Sequence, residues 1–199
     1  MIDLYAGKGG IVNRLEPAVA ALVRANVSPD ALTAAAIPVS AVAALALLAS
    51  PAVPAALLAV PVLAAARLVL NLLDGAVARR TGRSHPRGEV LNETSDRVSD
   101  LLFLAPVGAL PGASAPVVLL GVIAALLASY VGVSAKAAGG RRIYGGILSK
   151  PGRMVLVSVA AVAALALGPT AWAGFGPLLL AGATLTLLER LWVVRRDFP

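Results

Sequence analysis

The stretch Asn71-Leu-Leu-Asp74-Gly75-Ala-Val-Ala78-Arg79-Arg80, continued by Gly88-Glu-Val-Leu-Asn92-Glu-Thr-Ser-Asp96-Arg-Val-Ser-Asp100, decides the reading of this chain. The sequence is 59% hydrophobic, only 14% charged, and has a mean hydropathy of +0.87. Half of its ten acidic residues nevertheless gather in this one region. So apolar a chain of 199 residues exceeds the needs of a soluble domain and marks an all-α integral membrane protein. Ionisable side chains inside a span cost at least ~2.5–3.5 kcal/mol each on insertion scales, so a cluster of them marks function.

The spacing of the cluster is helical. Asn71, Asp74 and Ala78 fall at i, i+3 and i+7, with Arg67 one turn earlier, placed to pair with Asp74 or Asp96 or to meet a substrate phosphate. Asn92, Asp96 and Asp100 fall at i, i+4 and i+8, a second stripe, with Asp100 deeper in the span and Arg97 its expected partner. The basic connection from Arg79 to Arg87 is short, so the two helices are expected as antiparallel neighbours with their polar stripes facing. Oxygen ligands converging from two helices suit a hard divalent cation, Mg²⁺ or Mn²⁺, with substrate phosphate completing its shell.

Outward from the cluster, six segments approach the roughly 20 residues of a spanning helix. They are Leu32–Ala49, Ala55–Leu73, Leu101–Leu110 with a polar extension from Gly88, Pro116–Ala135, Met154–Leu167 and Pro177–Val194. The connections Ser50–Pro54, Pro111–Ala115 and Gly168–Gly176 hold no Lys or Arg. The alternate connections and the two ends hold Lys8, Arg14, Arg24, Arg79, Arg80, Arg83, Arg87, Lys136, Arg141, Arg142, Lys150, Arg153, Arg195 and Arg196. The positive-inside rule then places both termini and the charged loops in the cytoplasm, at the inner face of the cell membrane, and requires an even number of spans. Topology and anionic headgroups account for the net charge of +7, so no nucleic-acid partner is expected.

Residues 1–31 read as a cytoplasmic interfacial segment. Leu15, Val19, Leu22 and Val23 recur at helical spacing beside Arg14, Glu16 and Arg24. Ser28 is the expected N-cap and Pro29 the first residue of the next helix, opening a six-helix membrane domain over 32–199. The absence of cysteine excludes disulfides and thiolate chemistry. No removable signal peptide is expected at the start.

The run Asp74-Gly75-x-x-Ala78-Arg79, eight residues, Gly88-x-x-x-Asn92-x-x-x-Asp96 resembles the signature of the CDP-alcohol phosphatidyltransferases. Their pattern reads D-x-x-D-G-x-x-A-R and G-x-x-x-D-x-x-x-D across the same gap. Asn71 and Asn92 stand where that pattern has its first and third aspartates. The entry Asn26-x-x-Pro29-x-x-Leu32-Thr33 and a basic loop before the fifth span are also similar to the family plan.

The resemblance implies an integral membrane enzyme that moves a phosphatidyl group from a CDP-linked lipid such as CDP-diacylglycerol to an alcohol, releasing CMP, in phospholipid synthesis. It implies Asp74 and Asp96 as metal ligands, with Asn71 and Asn92 as neutral oxygen ligands at the departed positions. Gly75, Ala78, Arg79 and Gly88 would receive the CDP moiety, and Asp96 would be the general base. Lys150 resembles the family's Gly-Lys segment entering the fifth span. A homodimer in the bilayer is compatible with the family plan.

Other signals are weaker. The loop Gly139–Arg153 gathers glycines with Arg141, Arg142, Lys150 and Arg153, which suits an acceptor or lipid phosphate as well as a lipid-facing loop. Glu93 lies a helical step of about 100° from Asn92 and reaches the site only from its flank. His85 reads as solvated, the Gly7–Gly10 stretch with Lys8 as a flexible terminus lacking Walker spacing, and Trp172 and Trp192 as interfacial anchors. Two alternatives stand beside the enzyme: a family member without activity, because two carboxylates are missing, and a membrane transporter. The latter is disfavoured by charges at one end of the spans and by the lack of an inverted repeat.

Overall fold

Ser28 sets the first long helix. Its Oγ accepts from Ala31 N at 3.1 Å, and Pro29 occupies the first helical position, as the sequence indicates. The computed structural model of the chain describes residues 14–197. The Gly7–Gly10 stretch with Lys8, and the opening of the expected interfacial segment, lie outside the described residues.

The helices are α1 (Glu16–Arg24), α2 (Pro29–Ala49), α3 (Ala59–Thr81), α4 (Pro86–Leu104), α5 (Ala115–Ala137), α6 (Lys150–Leu167) and α7 (Trp172–Asp197). Short 3-10 turns lead into α3, continue α4 as Ala105–Ala109, and bend the chain between α6 and α7. No strand occurs among the described residues. Among the described residues four helical stretches are long and apolar enough to cross a membrane: Pro29–Ala49, Pro54–Thr81, Ala115–Ala137 and the bent Lys150–Asp197, which comprises α6 and α7. The stretch expected as a third span differs from the others. Its apolar part does not form a separate helix but continues α4, whose first twelve residues carry Glu89, Glu93, Asp96 and Arg97.

α2 packs against both α3 and α4, α3 packs against α6, and α5 pairs along most of its length with α7. Leu47, Val60, Phe103, Val107, Val157, Phe175 and Leu179 fill the space between them. Trp172 belongs to this core. It is 3% exposed and meets Phe175 edge-on at 6.2 Å, so the expectation of an interfacial anchor fails there: the bend after Gly168 turns its ring inward. Trp192 is exposed, with the Arg196 guanidinium over its ring at 5.3 Å. α1 docks on α3 through Val19, which packs with Leu73, Ala76 and Val77. Glu16 pairs with Arg80, and Asn26 Oδ1 accepts from Arg83 at 2.6 Å, so the amphipathic helix is tied to the end of α3.

Small residues let α5 and α7 approach closely, the usual solution where lipid offers no hydrophobic drive between helices. A Cβ on Gly121 would stand 2.8 Å from Leu179 Cγ and 3.0 Å from Leu180 N, backbone that cannot yield. Gly121→Leu should therefore lower the melting temperature of the detergent-solubilised protein, with an overpacking penalty of about 1–3 kcal/mol. Gly174→Ala, at a position with nothing within 4 Å, is the control. Equal melting of the two variants would refute the close crossing.

Candidate active site

The polar stripes of α3 and α4 meet where the sequence places them. Asn71 Nδ2 donates to Asn92 Oδ1 at 3.1 Å and to Asp96 Oδ1 at 3.2 Å, directly joining the two helices. Arg67, wholly buried one turn from Asn71, pairs with Asp96 Oδ1 at 3.3 Å and with Asp100 at 3.6 Å; it does not pair with Asp74. Asp100 is buried with Arg153, whose Nη2 stands 2.7 Å from it. The expected partnership of Asp100 with Arg97 gives way to this pair, because Arg97 turns towards Glu93 at 3.8 Å and Asp96 at 3.7 Å. Glu93 also pairs with Arg142 and lines neither of the two cavities around the motif, in keeping with its flanking position.

Asp74 sits differently. Its Oδ2 accepts from Thr33 Oγ1 at 2.8 Å, and its Oδ1 faces the Gly75 amide. No ion pair reaches it among the described residues. Thr33 comes from α2, whose backbone is tied to α4 by Ser95 Oγ donating to the Thr33 carbonyl at 2.9 Å. α2 thus fixes the spacing of the two motif helices while leaving an open cleft between their ends.

Two adjoining cavities, of about 210 and 610 Å³, open in that cleft and share Asp74, Gly75, Arg79, Asn92, Arg142 and Tyr144. Asn71, Asp96, Lys150 and Arg153 line the smaller one, and Ala78 and Gly88 the larger. The motif residues, with Arg142, Lys150 and Arg153 of the basic loop, therefore line these two adjoining cavities, whereas Arg141 turns away to pair with Asp197 at 3.2 Å. Lys150, first residue of α6, pairs with Asp96 Oδ1 and donates to Asn71 Oδ1. Gly88 opens towards His85, whose Nδ1 accepts from Gly88 N at 3.0 Å and whose Nε2 is 3.4 Å from Asp30. His85 thus caps α4 at the rim and touches none of the motif carboxylates.

Three features escaped the sequence reading. Thr33 was seen only as part of a helix entry, not as the partner of Asp74. Arg190, deep in α7, donates to the carbonyls of Ala128 (2.6 Å), Tyr144 (2.8 Å) and Gly145 (3.0 Å) and folds the basic loop over the cavity. Tyr144 lies under the Arg142 guanidinium at 4.6 Å. An arginine inside an apolar span was the available signal for Arg190.

The donors in the cavity are oxygens, and no group of three or more His, Cys, Asp or Glu stands together among the described residues. This chemistry excludes a closed transition-metal cage. It is compatible with a hard cation that takes one or two carboxylates and phosphate oxygens, and Asp74, Asp96, Asn71 and Asn92 are the candidate oxygens that line the cavity.

Known proteins resemble this chain in sequence and fold. The chain is 33% identical over 119 residues to the inner membrane protein YnbA of Escherichia coli K12, and 31% identical over 134 residues to phosphatidylinositol phosphate synthase of Mycolicibacterium smegmatis. These alignments span 58% and 60% of the relatives' own lengths. Among solved structures, phosphatidylinositol phosphate synthase (PgsA1) of Mycobacterium tuberculosis in complex with manganese and citrate superposes with a TM-score of 0.74 at 26% identity, covering 92% of this chain and 89% of that one. Its CDP-DAG-bound form gives 0.69 at 27% identity, covering 89% and 92%. The CDP-alcohol phosphatidyltransferase family model matches residues 26–188, which include α2 to α6 whole and most of α7. By fold, cleft and motif together, the chain belongs to the CDP-alcohol phosphatidyltransferase family.

Proposed function

We propose that the chain transfers a phosphatidyl group from a CDP-linked lipid, such as CDP-diacylglycerol, to an alcohol and releases CMP. The observation that carries this is the convergence of Asp74, Gly75, Ala78, Arg79, Gly88 and Asp96 on one cleft at the ends of two helices. Support comes from the relatives: one is a phosphatidylinositol phosphate synthase, and the solved neighbour holds CDP-DAG in one structure and manganese in another.

In this reading the diphosphate enters the cleft between Asp74 and the basic loop. A divalent cation in the cleft, for which Asp74, Asp96, Asn71 and Asn92 supply the candidate oxygens, would neutralise the diphosphate and stabilise departing CMP. Gly75 and Ala78 leave room for the nucleotide against α3, and Arg79 reaches its phosphate end. Gly88 keeps the opposite wall open, since a Cβ there would stand 3.1 Å from Asp30 and His85 atoms. Lys150 and Arg153 bring positive charge to the acceptor or lipid phosphate. Asp96 takes the proton as the acceptor's hydroxyl oxygen attacks the lipid-side phosphorus. The bond from that phosphorus to the bridging oxygen breaks, and CMP carries the electron pair away.

We also infer six spans, α2 to α7, with residues 1–31 lying on the cytoplasmic leaflet and 32–199 forming the membrane domain. Both termini and the cleft then face the cytoplasm. Supporting this, the cations cluster at the cleft end, while the stretches 50–54 and 111–115 carry none. The bent Lys150–Asp197 stretch is long enough for two crossings, and α4 hides its charges against Arg67, Arg97 and Arg153.

Purified protein with CDP-diacylglycerol, Mg²⁺ or Mn²⁺, and a panel of glycerol 3-phosphate, inositol phosphate, serine and inositol should release CMP with at least one acceptor. Silence across the panel would sink the transferase reading. Asp96→Asn should cut turnover by ~10²–10⁴-fold while metal-dependent CDP-lipid binding persists. Orientation is separately testable because the chain lacks cysteine. In inverted membrane vesicles, Gly139→Cys should react with an impermeant maleimide and Ser114→Cys should not; the reverse labelling pattern would overturn the topology.

A further inference from the structure

The two carboxylates of the cleft are not equivalent. Asp96 is surrounded by cations: Arg67 at 3.3 Å, Arg97 at 3.7 Å, and Lys150, which shares its Oδ1 with Asn71 Nδ2. Among the described residues Asp74 has only the Thr33 hydroxyl and the Gly75 amide. The carboxamides divide in the same way. Asn71 Oδ1 accepts from Lys150, and Asn92 Oδ1 accepts from Asn71 Nδ2 at 3.1 Å. One side of the cleft thus presents a carboxylate free of ionic partners, and the other side already holds a positive charge.

That charge is built in. Lys150 is the first residue of α6, between the buried Ser149 and Pro151, and its side chain is only 12% exposed. It reaches from α6 to an α3 oxygen and an α4 oxygen at once. An ammonium has three N–H donors, and two are spent on Asn71 and Asp96. The third remains for an oxygen of the bound diphosphate. This is the bridging role a dication would play there: carboxylate on one side, phosphate on the other. A second dication in the same space would have to displace the ammonium and would stand beside Arg67, Arg97 and Arg153 with no added carboxylate to offset it.

We propose that Lys150 is a resident second cation, bridging Asn71 and Asp96 to a substrate phosphate, and that the chain binds a single divalent ion, on the Asp74 side. This rests on the reading of the cleft as a CDP-lipid diphosphate site. It also explains the two asparagines as part of one arrangement: neutral donors at 71 and 92 suit an ammonium and one dication.

The test counts metal. Full-length protein in detergent, saturated with CDP, is equilibrated with Mn²⁺, and bound ion is measured by dialysis with metal analysis and by electron paramagnetic resonance. The wild type is expected to bind one Mn²⁺ per chain. Lys150→Met, shown folded by a cooperative melting transition, should still bind one, about tenfold more tightly, because the competing positive charge is gone. The triple variant Asn71→Asp, Asn92→Asp, Lys150→Met should bind two, with the spectral broadening of a close pair. Two ions in the wild type, none, or an unchanged or weakened affinity in folded Lys150→Met would each overturn the proposal. Should the triple variant not fold, the wild-type count and the Lys150→Met affinity decide alone. CMP release with two bound ions would defeat this inference and leave the transferase standing. One bound ion without CMP release from any donor would do the opposite.

Discussion

The Asp96 carboxylate holds the bundle's cleft together. It sits almost fully buried where α3, α4 and α6 converge, and each of the three helices sends it a partner: Arg67 and Asn71 from α3, Arg97 from α4 itself, and Lys150 from α6. In surroundings poor in water a charge is tolerated only when paired, and removing one member of a buried pair costs about 3–5 kcal/mol. Asp100 repeats the pattern a turn deeper with Arg67 and Arg153. This ladder of charges lets α4 lie in an apolar bundle despite its composition.

The same constraint produces the cavity. α2 packs against both motif helices and anchors each with a hydroxyl: Thr33 on Asp74, and Ser95 on the Thr33 carbonyl. Polar side chains of α3 and α4 then meet across a gap too wide and too charged to close by apolar packing. The gap is roofed by the loop that Arg190 pins through three carbonyls. A membrane helix bundle here keeps an aqueous pocket at one end because its charged stripes oppose each other at that end only.

Much of this was legible in the residues. The i, i+3 and i, i+4 spacings placed Asn71, Asp74, Asn92 and Asp96 on two facing stripes, since helical geometry leaves no other arrangement for them. The cap at Ser28 and the docking face of α1 followed from local chemistry. Other features were out of reach for the same kind of reasoning. Trp172 was misread because its proximity to a span end matters less than the bend that turns it inward. The pairing of Asp100 was misassigned to Arg97 because sequence neighbours were preferred over Arg153, 53 positions away. Thr33 and Arg190 act through contacts with residues far along the chain, so even the signal of an arginine inside an apolar span does not name the carbonyls that Arg190 holds.

By itself, the sequence determined that the protein is helical and apolar, where its first long helix starts, and which residues could meet phosphate and metal. Those properties depend on composition and on periods of a few residues. Only the tertiary structure decided which charge neutralises which. Asp74 and Asp96 look alike in the sequence, three and four residues from an asparagine. The fold gives one a hydroxyl and the other a lysine, because the start of α6 passes beside Asp96 while Asp74 faces α2.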